Sequence, residues 1–121
     1  MFRRISVKDK EFLWLYSFDD DDRQNDSIVI VKDCLRKGKL VLHFKTGSHD
    51  YGYCPFNKGL AAMKNQQHTE INLNRPSLIV ELLTHVLDYR LFDDGFDTTH
   101  DLNGIEILKE LGYIFDYHLA W

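Results

Sequence analysis

A chain of 121 residues, 44% hydrophobic and 28% charged, is long enough for one packed domain and too short for two. Those fractions sit near globular averages and argue against a disordered chain. The net charge of −4 hides an asymmetry. Residues 84–121 hold two Lys/Arg against eight Asp/Glu, a balance of −6 that repels nucleic-acid phosphates and attracts basic partners.

Phe2 to Val7 predicts a first strand with Ile5 and Val7 on one face. Lys8-Asp9-Lys10 predicts a turn. Glu11 to Phe18 alternates strongly: Phe12, Trp14, Tyr16 and Phe18 fall on one face, Leu13 and Leu15 on the other. Two apolar faces point to a central strand, or to a face covered by a partner. Asp19 to Asp26 reads as a polar link. Ser27 to Cys34, β-branched, reads as a third strand, and Lys39 to Thr46 as a fourth, with Leu40, Leu42 and Phe44 inward. Short links between them predict an antiparallel meander.

Gly47 to Gln67 breaks the rhythm, and a connection of that length usually hides a short element. Gly59 to Lys64 is the candidate, as one or two helical turns. Thr69 to Leu73 alternates again and predicts a fifth strand. Arg75 to Leu91 is the one long amphipathic helix. Leu78, Ile79, Leu82, Leu83, Val86 and Leu87 recur at three- and four-residue steps, Pro76 suits the first turn, and Asn74 is the expected cap. Phe92 to His100 reads as loop. Thr99 or Asp101 is then the expected cap of a second helix running to about Leu111, closed by a left-handed Gly112. Tyr113 to Trp121 alternates and predicts a sixth strand. The expected fold is α+β, one domain over 1–121: an antiparallel or mixed sheet of five to six strands with both helices on one face.

No stretch approaches the roughly 20 apolar residues of a membrane span, and MFRRISVKDK lacks an apolar signal core, so the expectation is a cytoplasmic protein without a membrane partner. Cys34 and Cys54 are then expected as free thiols. A zinc set drawn from Cys34, His43, His49 and Cys54 lacks the short ligand spacings of structural sites, and the Asp run at 19–22 lacks the Gly and closing Glu of an EF-hand loop. There is no Gly-rich phosphate loop before a helix, no Gly-x-Ser-x-Gly and no His-Glu-x-x-His. No metal and no cofactor is therefore expected. The pairs His49-Asp50 and His100-Asp101 superficially resemble the dyad of HD phosphohydrolases, which belongs to an all-helical fold.

Two surfaces remain. The loop Ser48 to Gly59 gathers His49, Asp50 and Cys54 among aromatics and glycines, and a reactive set there would make a small enzyme or a metal- or ligand-binding protein. The second surface is acidic. Asp20 and Asp21 follow Phe18, while Asp93, Asp94 and Asp97 surround Phe96. Carboxylates around an aromatic anchor suit tight binding of a basic protein, because charge steers the encounter and the ring supplies energy. In size, acidity and absence of a catalytic motif the chain is similar in style to small bacterial interaction proteins such as immunity proteins. The leading expectation is thus a non-enzymatic binding module of immunity or inhibitor type. The alternatives are the small enzyme or ligand-binding protein and a homodimeric structural or regulatory protein using Glu11 to Phe18. Nucleic-acid binding would rest on Arg3, Arg4, Arg36, Lys37 and Lys39 near Trp14 and Tyr16, a small basic group in a segment with nearly as many acids.

Overall fold

A computed structural model describes residues 1–18, 27–45 and 55–115. Strands β1 (Arg3–Val7), β2 (Lys10–Phe18), β3 (Ser27–Asp33) and β4 (Lys39–Phe44) form the antiparallel meander, each paired with the next. Lys8 and Asp9 join β1 to β2 with φ of 53° and 63°, the two left-handed residues that a tight hairpin turn demands. A fifth strand, β7 (Thr99–Asn103), lies parallel to β4 at the sheet edge, so the five-stranded sheet is mixed, in the order β1-β2-β3-β4-β7.

The alternation read in the sequence decides which face is buried. Ile5, Val7, Phe12, Trp14, Val29, Val31, Leu40, Leu42 and Phe44 lie in the core. Helix α2 (Pro76–His85) packs there against β1, and α3 (Gly104–Glu110) against β4. All six stripe residues of the long helix, Leu78 through Leu87, are buried. The opposite sheet face carries Leu13, Leu15, Ile28 and Ile30, half-buried, beside Arg4, Lys32 and Lys39.

Several local expectations are corrected. Leu60–Lys64 is a strand, β5, not helical turns; the short helix α1 (Pro55–Lys58) precedes it. β5 pairs with β6 (Gln67–Ile71) through an Asn65-Gln66 turn with φ of 53° and 64°, so hairpin geometry overrides the helix propensity of Ala61, Ala62 and Met63. This hairpin is a separate sheet, and the fifth predicted strand does not join the main one. Asn74 does not cap α2. Its side-chain amide donates to Asn57 and Asn72, and Arg75 at the N-cap makes no side-chain capping bond.

The predicted cap positions Thr99 and Asp101 are in β7. The cap of α3 is Asn103, whose Oδ1 accepts from the Ile105 and Glu106 amides at 3.0 and 3.3 Å. Gly112 is left-handed as expected, with φ of 98°. Of the predicted sixth strand, Ile114 exchanges two 2.8 Å hydrogen bonds with Met63 of β5, and residues 116–121 lie outside the described part.

The long helix also changes its winding. After His85 it opens into a π-helical turn, Val86–Leu91, and stops at Phe92, whose φ of 53° is left-handed. Glu110 of α3 holds this turn from the side: it accepts from His85 Nε2 at 2.8 Å and from the Arg90 guanidinium. Tyr113 and Lys64 both donate to Glu81, tying the hairpin and the segment just after α3 to α2. Burial, reinforced by the bond to that carboxylate, pushes the Tyr113 phenol well above its ordinary range.

Candidate functional site

The π-turn delivers the chain into the loop 92–98, which is clamped from beneath. Asp33, at the end of β3, has a fully buried side chain. Its Oδ1 accepts from the Leu35 and Arg36 amides, shaping the turn into β4. Its Oδ2 accepts from the Phe96 amide at 3.3 Å and from Lys10 Nζ at 3.1 Å. Burial raises the pKa of this carboxyl, and the four donated hydrogen bonds outweigh it, so the group lies below the usual carboxylate range. Two glycines permit the approach. A Cβ at Gly95 would overlap the Asp33 carboxylate, and one at Gly38 would overlap the Phe96 and Thr98 carbonyls. Those carbonyls accept from the Gly38 and Lys39 amides at 3.2 and 3.3 Å.

This clamp decides which aromatic ring points where. Phe96 is 1% exposed, 5.9 Å from the Phe12 ring, and so belongs to the core. The expectation that Phe96 is a surface anchor is thereby corrected: its amide hydrogen bond to Asp33 and the bare Gly95 backbone draw it inward. The exposed ring is Phe92, at 79%. Leu35 (80%) precedes Arg36, and Arg36 makes a bidentate pair with Asp93, at 2.9 and 3.1 Å, beside Phe92. Tyr89, 66% exposed, lies one helical turn back, its ring tilted against His85.

The carboxylates around these apolar groups are unevenly engaged. Arg36 holds Asp93 and lies 3.8 Å from Asp97. The bond to Arg36 keeps the Asp93 carboxyl below its usual range. Lys8 pairs with Asp88, and that bond, with the charges of Asp88 and Asp94, holds its ammonium above its ordinary range. Asp94 has no ion pair of its own among the described residues. Four carboxylates thus face two cations, and the loop keeps its negative excess.

A second feature lies at the other end of β4. A cavity of about 590 Å³ opens where β4 and β7 end, with α3 as its far wall. Among its lining residues His43 Nε2 donates to Asp101 at 2.9 Å, and Leu102 and Ile105 contribute apolar surface.

The remaining sequence candidates, His49, Asp50 and Cys54 with Asp20 and Asp21, lie outside the described residues. Cys34 is an exposed free thiol. Since His43 pairs with Ile28, and Cys34 follows β3, the two sit roughly 20 Å apart along the strand and cannot share a metal. Among the described residues no three His, Cys, Asp or Glu side chains gather to hold a metal ion. Of the two rings near the basic residues of the N-terminal strands, Trp14 is buried and covered by Arg3 at 4.9 Å, and Tyr16 is half-buried. No helix of the described residues is long and apolar enough to cross a membrane. By architecture the chain is a two-layer α+β protein. Comparison with protein-family models, curated proteins and solved structures gives no significant match to any of them.

Proposed function

We propose that the protein is a non-enzymatic binding module, of immunity or inhibitor type, which associates stoichiometrically with a basic protein partner through the loop 92–98. The observation that carries this reading is Phe92. A bulky residue at a left-handed helix end costs about 1–2 kcal/mol relative to glycine, and a ring left 79% exposed recovers little from the fold. A residue that is unfavourable to the fold on both counts makes sense where it inserts into something else.

The surroundings agree with that role. Leu35 and Tyr89 enlarge the apolar centre, and the carboxylate excess at Asp88, Asp93, Asp94 and Asp97 suits steering of a basic surface. The clamp on Asp33 holds the loop in one shape, which lowers the ordering cost of association.

Capture from the native host tests the reading. Wild-type protein should retain a basic partner that the Phe92→Gly variant releases during washing. Turnover of a substrate that vanishes with His49→Ala would contradict it and favour an enzyme.

A further inference from the structure

The cavity at the ends of β4 and β7 has a charge pattern that the protein-binding reading does not use. Its two carboxylates are already engaged. Asp101 accepts from His43, and Glu106 lies 3.6 Å from the Arg90 guanidinium. Its two ammonium groups are not. Neither Lys45 nor Lys109 forms an ion pair or a side-chain hydrogen bond among the described residues, although both line the same space. Leu102 and Ile105 line it with hydrocarbon, and the volume of about 590 Å³ falls within the roughly 300–1,000 Å³ of small-molecule sites.

The position follows from the topology. β4 and β7 run parallel, so the carboxyl ends of both strands lie at this rim. Gly104 lets α3 start directly on the Phe44 ring, since a Cβ there would overlap it. That close approach brings Lys109 round to the side on which Lys45 leaves β4. Two unengaged cations over hydrocarbon call for a ligand with one anionic end and one apolar end. A free inorganic anion would leave the hydrocarbon surface unused, and a neutral ring would leave both ammonium groups unpaired.

We propose that this cavity is a binding site for a small organic anion, a carboxylate or phosphate ester, with Lys45 and Lys109 taking the charge and Leu102 and Ile105 the apolar body. The site is independent of Phe92 and of the partner-binding reading.

The test is amide-resolved NMR on the full chain, titrated separately with benzoate, phenyl phosphate, inorganic phosphate and benzyl alcohol. At least one aromatic anion should shift the amides of Leu102, Asn103 and Ile105 with saturation below about 10 mM, the weak end of specific binding. Inorganic phosphate and benzyl alcohol should bind several-fold more weakly. Exchanging one exposed lysine, Lys45→Gln or Lys109→Gln, should weaken the better anion about two- to fivefold, and exchanging both should multiply those losses. Both side chains are exposed, so the variants should keep the wild-type spectrum elsewhere. Absence of saturable shifts, equal binding of inorganic phosphate or benzyl alcohol, or undiminished binding in the double variant would each overturn the proposal.

Discussion

The loop 92–98 and the cavity sit at opposite ends of β4, about 17 Å apart by strand rise, and they are built in opposite ways. In the loop the carboxylates outnumber the cations that pair with them, and the apolar groups Phe92 and Leu35 are left out in solvent. In the cavity Leu102 and Ile105 line the recess, and the ammonium groups of Lys45 and Lys109 pair with nothing among the described residues. A convex surface with spare hydrocarbon suits a macromolecule, and a concave one with spare charge suits a small anion. One scaffold presents both, and variants can separate them.

The largest effect should come from the scaffold itself. Leu83 is fully buried on α2, so Leu83→Ala should cost about 2–5 kcal/mol in chemical denaturation and weaken both surfaces together. A loss under about 0.5 kcal/mol, ordinary for an exposed position, would mean that the helix face is misassigned.

Asp33→Asn should act on the loop and on the turn into β4, and leave the cavity in place. It removes the charged acceptor beneath Phe96 and should cost about 2–3 kcal/mol. The sign of the pH dependence follows from its lowered folded-state pKa. The Asp33 contribution is fully present above the unfolded value, near 3.8, and is lost as pH falls through the folded one. Wild-type stability should therefore drop more steeply than that of the variant below about pH 4, measured by denaturant midpoints across pH. Parallel pH profiles would remove Asp33 as the clamp.

Phe92→Gly should go the other way. Relief of the left-handed strain, less glycine's greater freedom in the unfolded chain, should stabilise the fold by about 0.5–1 kcal/mol. Destabilisation would show that the ring packs on the protein after all.

The smallest effects should be electrostatic. Changing Asp93, Asp94 and Asp97 to Asn should slow association with the captured partner a few-fold at low salt. The difference should shrink as salt rises, since charges beyond roughly 8 Å are screened at physiological ionic strength. Most of the rate change should come from Asp94, because Arg36 already neutralises the other two in part.

The meander was legible because β1 to β4 keep strict alternation, and the long helix because its stripe recurs without a gap. What escaped has physical reasons. β7 (THDLN) has a single large apolar residue, so no period marks it; its polar residues imitate a helix cap, and the true cap, Asn103, comes directly after Leu102. β5 is made of residues with helix propensity, overruled by a two-residue turn. The π-turn keeps the same apolar residues as an α-turn and so leaves no trace in spacing. The acidic loop was visible as composition, but Phe92 and Phe96 are four residues apart and chemically identical. The long-range contacts of Phe96 and Gly95 with Asp33 and Gly38 separate inside from outside, and no local pattern encodes them. The cavity was invisible because Lys45 and Lys109 are 64 positions apart.

The central claim is that Phe92 is kept for binding at the expense of the fold. It is tested most directly by the dissociation rate of the captured partner from wild type and from Phe92→Gly, measured side by side by surface plasmon resonance. The variant, though at least as stable, should release the partner about 30-fold faster or more, the loss of an anchor worth about 2 kcal/mol. Equal dissociation rates from the two proteins would contradict it.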